Sequence, residues 1–189
     1  MSLGGWIAVA VVVVIAIWGI AIYNRLVRRR ALVREGWSGI TVQLRRRADL
    51  VPNLVSTVEG YATHEREVLT EVTAHRGDPM KARGVAETAQ ADTAFSAMLG
   101  RLMAVAEAYP DLKADANFRQ LQDELSKIEQ ELQGARRYYN ATVRDLNTRI
   151  QSVPDVMLAR PMGFAEEPFY TDEDKSIEKA PVVRFGAKA

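Results

Sequence analysis

Gln43–Val55 reads QLRRRADLVPNLV, three adjacent arginines followed by an aspartate and an apolar run that holds a proline. One reading is a basic patch that grips phosphate or lipid. The other is architectural: one helix ends near Arg47, and another begins at Leu50. Asp49 is a good N-cap for that second helix, and Pro52 falls in its first turn, where a missing N–H costs little. Cations in the last turn of the first helix suit its dipole. The architectural reading is preferred, because apolar residues continue on a helical stripe after it: Leu50, Leu54, Val58, Tyr61 and Val68, with Val51, Val55, Ala62, Leu69 and Val72 beside them. The next turn is expected in HRGDPMKARG, His75 to Gly84.

Upstream, LGGWIAVAVVVVIAIWGIAIY, Leu3 to Tyr23, carries no charged side chain. About 20 residues at ~1.5 Å each cross a hydrocarbon layer ~30 Å thick. Trp6 near one end, with Trp18 and Tyr23 near the other, suits interfacial anchoring. A buried core helix would show a polar face. A cleaved signal would carry a basic n-region and a shorter apolar run. A retained single-pass anchor in the cell (inner) membrane is therefore expected. Arg25, Arg28, Arg29 and Arg30 follow it closely and are expected at the membrane interface, reaching anionic headgroups. Because the basic flank follows the span, the rest of the chain is expected in the cytoplasm, with the N-terminus outside.

Beyond the anchor, Val33, Trp37, Ile40 and Leu44 make a first stripe, which Gly36 and Gly39 weaken or adapt for close packing. A third stripe runs through Ala91, Phe95, Met98, Leu102 and Val105, and Pro110 stops it. The last helix is the clearest signal. Phe118, Leu121, Leu125, Ile128, Leu132, Ala135, Tyr139, Thr142 and Leu146 step by four and three, closing on Ile150. Such a heptad lays a seam against partner helices. Pro154 ends it. Phe164, Phe169 and Tyr170 are expected to clamp an irregular tail onto the bundle, and PVVRF, Pro181 to Phe185, reads as a short strand. The fold expected is all-α: a transmembrane helix over 1–24, an elongated antiparallel bundle of three to four long helices over 25–153, and an irregular tail packing on it over 154–189.

Composition excludes several chemistries. There is no cysteine, so no thiolate site or disulfide. The formal net charge of +1 gives no global attraction to nucleic acid, and the basic cluster lacks interleaved aromatics. His64 in HEREV lacks the second histidine of a zincin, and no Glu-x-x-His occurs for a di-iron bundle. Glu71 and His75 are placed to pair on a helix surface. Tyr138 and Tyr139 read as packing residues. No phosphate loop, nucleophile elbow or interior acid pair is visible. The chain is not expected to be an enzyme or to need a cofactor.

The chain resembles the LemA family. The likeness rests on YNRLVRRRALVREGWSGITVQLRRRADLVPNLVSTVEGYATHE (Tyr23 to Glu65), LGRLMAVAEAYPDLKADANFRQLQDEL (Leu99 to Leu125) and ARRYYNATVRDLNTRIQSVP (Ala135 to Pro154), in that order. GFAEEPFY and PVVRF fit the family's usual ending. The resemblance implies a bacterial protein with one N-terminal membrane helix and an all-α antiparallel bundle, and supplies no catalytic residues. It also implies a link to membrane organisation and to TPM-domain membrane proteins. The expectation is a membrane-anchored helical scaffold, self-associating as a homo-oligomer. The alternative is an adaptor or sensor that presents a helical rod to another membrane protein, such as a TPM-domain partner or protease.

Overall fold

The structure is a computed structural model that describes residues 2–62 and 64–171. Among them the regular elements are all helical: α1 (Leu3–Glu59), α2 (Arg66–His75), α3 (Asp78–Lys81), α4 (Gly84–Glu107), α5 (Pro110–Ala114), α6 (Ala116–Gln151) and α7 (Val156–Ala159). The expected all-α architecture is present, with three long helices and four short ones. PVVRF lies outside the described residues.

The largest departure from the sequence reading is in QLRRRADLVPNLV. No helix ends there. α1 runs unbroken for 57 residues, with Pro52 inside it and Asp49 in mid-helix. A proline in a helix interior removes one hydrogen bond and crowds the preceding turn, at ~3 kcal/mol. Burial outweighs that cost. Leu44, Ala48, Val51, Leu54 and Val58 are all buried on one side of the stretch, whereas Pro52 and Asp49 lie on the exposed side. Ending the helix at Asp49 would turn that stripe out of line. The break comes instead at Gly60, and the expected second helix is therefore divided between the end of α1 and α2. Leu69 and Val72 on α2 still reach the same core as Leu54 and Val58, while Tyr61 is exposed.

The N-cap expected at Asp49 is not formed, since Asp49 lies in mid-helix; the aspartate that caps a helix is Asp115. Its Oδ1 accepts from the backbone N–H of Phe118 at 2.9 Å, at the start of α6. That bond holds the Asp115 carboxyl below its ordinary range. Because it removes this cap, Asp115→Ala should destabilise the fold more than Asp49→Ala. Asp49→Ala should stay within about 0.5 kcal/mol, as exposed substitutions do. Denaturant titration of the two variants checks the assignment, and the reverse order of effects would restore a helix break at Asp49.

α6 pairs with α1 along most of its length and runs antiparallel to it. Arg29 meets Asp145, Arg46 meets Glu131 at 2.6 Å, and the Tyr61 hydroxyl donates to Asp115 at 3.1 Å. The heptad expected on α6 is the seam: Phe118, Leu125, Ile128, Leu132, Tyr139, Thr142, Leu146 and Ile150 are buried. Gly36 lets the two backbones approach. A Cβ there would stand 3.0 Å from the Tyr139 Cα, so the glycine serves close packing. α2 and α4 are joined by Arg101 and Glu71 at 2.6 Å. The expected Glu71–His75 pair is thus replaced, and His75 Nδ1 lies 2.6 Å from Asp78 at the start of α3. The polar connection expected after Pro110 is the short helix α5, which buries Leu112.

After α7 the chain runs extended along α6. Asn147 binds the Glu167 backbone both ways, at 2.9 Å each, and Asn140 does the same for Tyr170 at 2.9 and 2.8 Å. The spacing explains the match. Seven helical residues rise ~10.5 Å, and three extended residues cover ~10 Å. Phe164 and Tyr170 are buried as expected of clamps, but Phe169 is 40% exposed and is not part of the buried core. An extended chain points successive side chains to opposite sides, so neighbours cannot both face the bundle.

Candidate functional site

The middle arginine stretch supplies the polar centre of the molecule. Arg45, Arg46 and Arg47 are consecutive, and a helix points them ~100° apart. Arg46 reaches the exposed Glu131. Arg45 lies on the surface. Arg47 is fully buried, on the same stripe as Leu44, Val51 and Leu54. Its guanidinium meets Asp92 of α4, donates to Glu129 of α6 at 2.8 Å and to the Ser96 hydroxyl at 3.0 Å, and lies 5.0 Å from the Phe95 ring centroid. Asp92 is fully buried too. Its other oxygen takes Arg136 of α6 and the Tyr170 hydroxyl. Arg136 also stacks over the Tyr170 ring at 5.3 Å.

Two arginines and two carboxylates sum to zero charge, as a buried cluster requires. Burial, together with the Asp92 carboxylate, pushes the Tyr170 phenol well above the ordinary tyrosine range. Burial next to Glu167 raises the Tyr139 phenol to about 12, and its hydroxyl donates to the Pro168 carbonyl at 2.9 Å. Both therefore remain donors throughout the physiological range. The cluster joins α1, α4, α6 and the tail at one point. Ion pairs of this kind add little net stability over apolar residues, but breaking one is costly, so they hold elements in register. The sequence reading missed it. The available signal was a charge standing where the core stripe demands an apolar residue: Arg47 between Leu44 and Val51, and Asp92 between Ala89 and Phe95.

Beside the cluster is an open cleft of about 540 Å3 between α1 and the α3–α4 segment. Trp37, Val85 and Tyr139 give it apolar walls, and Arg34, Arg45 and Glu167 give it charge. Trp37 stacks at a tilt on Tyr139, 5.8 Å between centroids.

The four arginines expected at a membrane interface lie on one turn-and-a-half of α1 and are held differently. Arg25 and Arg28 are exposed, and the Arg28 Nε donates to the Asn24 carbonyl at 3.3 Å. Arg29 is engaged with Asp145, and Arg30 lies over the Phe164 ring at 4.8 Å. The helical segment before them is long and apolar enough to cross a membrane, with mean hydropathy 2.7 in its most apolar window, of which 6% is buried. Among the described residues no group of three His, Cys, Asp or Glu is placed to hold a metal ion.

The sequence profile of the LemA family matches residues 36–185. The chain is similar to the magnetosome protein MamQ 2 of Paramagnetospirillum magneticum, 26% identical over 187 aligned positions, covering 85% of this chain and 68% of the relative. It is also similar to MamQ of Magnetospirillum gryphiswaldense, 25% identical with the same coverage. It also resembles Protein LemA of Metamycoplasma hominis, 29% identical over 132 positions, covering 67% of this chain and 58% of the relative.

Proposed function

The chain belongs to the LemA family, and from that premise we propose that it is a membrane-anchored, non-enzymatic helical scaffold, self-associating at the cytoplasmic face of the inner membrane as a single-pass protein. The observation that carries the reading is the continuity of α1. The exposed apolar segment and the core-forming stripe are one helix, with no break between them. At ~1.5 Å per residue it extends ~85 Å. A bundle mounted this way keeps a fixed attitude to the bilayer, which is what a scaffold needs and a tethered enzyme does not. Arg25 and Arg28 extend the anchoring by contact with anionic headgroups. Relatives named as magnetosome proteins support a membrane-associated role.

The cleft favours a second reading, an adaptor for another membrane protein such as a TPM-domain partner. Arg34 and Arg45 make no ion pair among the described residues, although Arg29, Arg46 and Arg47 on the same helix do. Purification in mild detergent separates the two. The scaffold gives a defined large particle alone; the adaptor is monomeric until its partner is added. Protease added to intact cells, or to spheroplasts, should spare the bundle. Its digestion while a cytoplasmic control survives would contradict the sidedness.

A further inference from the structure

The turn between α6 and the tail carries large apolar side chains that none of the described residues covers. Val153 is 81% exposed, Met157 69%, and Met162 is also exposed. They lie at the end of the bundle nearest the apolar segment, and α7 packs directly on α1. The contact is low on that helix: Leu158 approaches Gly19, and Ala159 and Phe164 share a core with Ile22 and Leu26. Tyr23 meets the Phe164 ring edge-on at 5.8 Å.

Gly19 stands six residues before Arg25, the first cation after the apolar run. At ~1.5 Å per residue that is ~9 Å along the helix. If Arg25 lies among the headgroups, anything packed beside Gly19 is below them. We propose that residues 153–163 form a second membrane element, a short wedge set into the cytoplasmic leaflet beside α1, whose partner is the lipid surface. The proposal rests on α1 spanning the bilayer.

Its chemistry suits that depth. Interfacial elements bury their apolar side ~5–10 Å into the boundary between headgroups and acyl chains. A segment there must satisfy its own backbone. The amides of Met157 to Ala159, Met162 and Gly163 donate to carbonyls within the segment, that of Val156 donates to the Ser152 carbonyl just before it, and Pro154 and Pro161 have no N–H to satisfy. Asp155 is buried, with Arg149 3.8 Å from its Oδ2. The exposed Arg160 can rise to the headgroups, as arginine side chains do at this level. The uncovered methionines and valine would cost solubility in water and nothing in lipid.

The absence of native cysteine makes the test direct. Met157→Cys, Val12→Cys and Val42→Cys in the full chain each receive an environment-sensitive nitrobenzoxadiazole label. The chains are then reconstituted in phosphatidylcholine–phosphatidylglycerol vesicles. Val12 marks the apolar segment, and Val42 marks the bundle well above the surface. The label at Met157→Cys should emit to the blue of that at Val42→Cys, be quenched by lipids nitroxide-labelled high on the acyl chain, and be several-fold less quenched by iodide. Val153→Cys should behave like Met157→Cys. If both behave like Val42→Cys while Val12→Cys is lipid-exposed, the wedge is refuted and the anchor stands. If Val12→Cys is also water-exposed, the anchor fails and the wedge with it.

Discussion

Asp92→Ala should cost ~3–5 kcal/mol, a large part of the ~5–15 kcal/mol that stabilises a typical domain. The residue lies between Arg47 and Arg136, whose side chains are 1% and 20% exposed. Without it, both guanidinium groups lose a fully buried carboxylate in a low-dielectric interior, and Tyr170 loses its acceptor. The cost is that of stranded charge rather than of a lost attraction, so the control is a pair that water already screens. Arg46 and Glu131 are each about half exposed, and Arg46→Gln should cost at most ~1 kcal/mol. Denaturant titration of the detergent-solubilised chain, followed by helical circular dichroism, measures both. Equal, small losses would mean that the cluster is solvated and does not bind the helices together.

Leu132→Ala should be nearly as damaging, at ~2–5 kcal/mol, because truncation removes burial and leaves a cavity. Leu132 is fully buried and packs in one core with Leu44, Tyr139 and Leu146. Gln130→Ala, one turn-face away and exposed, should leave the melting temperature unchanged. The pair also distinguishes a seam within the chain from one between chains. A folded, fully helical Leu132→Ala protein with wild-type melting that had only lost an oligomer would place the α6 stripe on a self-association surface instead.

Much of this was legible from spacing. The α6 heptad, the exposed apolar run before Arg25 and the stripe from Leu50 to Val58 were each read from residue pattern, and each lies where the pattern puts it. The failures share a cause. At Asp49 and Pro52 the local signal for a helix start was genuine, but local propensity is worth a few kcal/mol at most, and the stripe through Leu44, Ala48, Val51 and Leu54 outweighed it. At Arg47 and Asp92 the residue type said surface, while the position in the stripe said core. Position prevailed because the partners lie 44 and more residues away, in α1, α4, α6 and the tail, where no local window reaches. The two asparagine clamps on the tail were hidden for the same reason. Asn140 and Asn147 become meaningful only when an extended chain is laid beside them at matching rise.

The central claim is that a single helix carries the chain from its apolar segment into the bundle without a joint. Spin labels on Val12→Cys and Val42→Cys, both exposed, test it by pulsed electron–electron distance measurement in nanodiscs. Thirty residues of continuous helix separate them by ~45 Å at ~1.5 Å per residue. One narrow distance distribution near that value is the predicted result. A broad distribution, or one centred well below it, would mean that the bundle hangs on a hinge and would contradict the account.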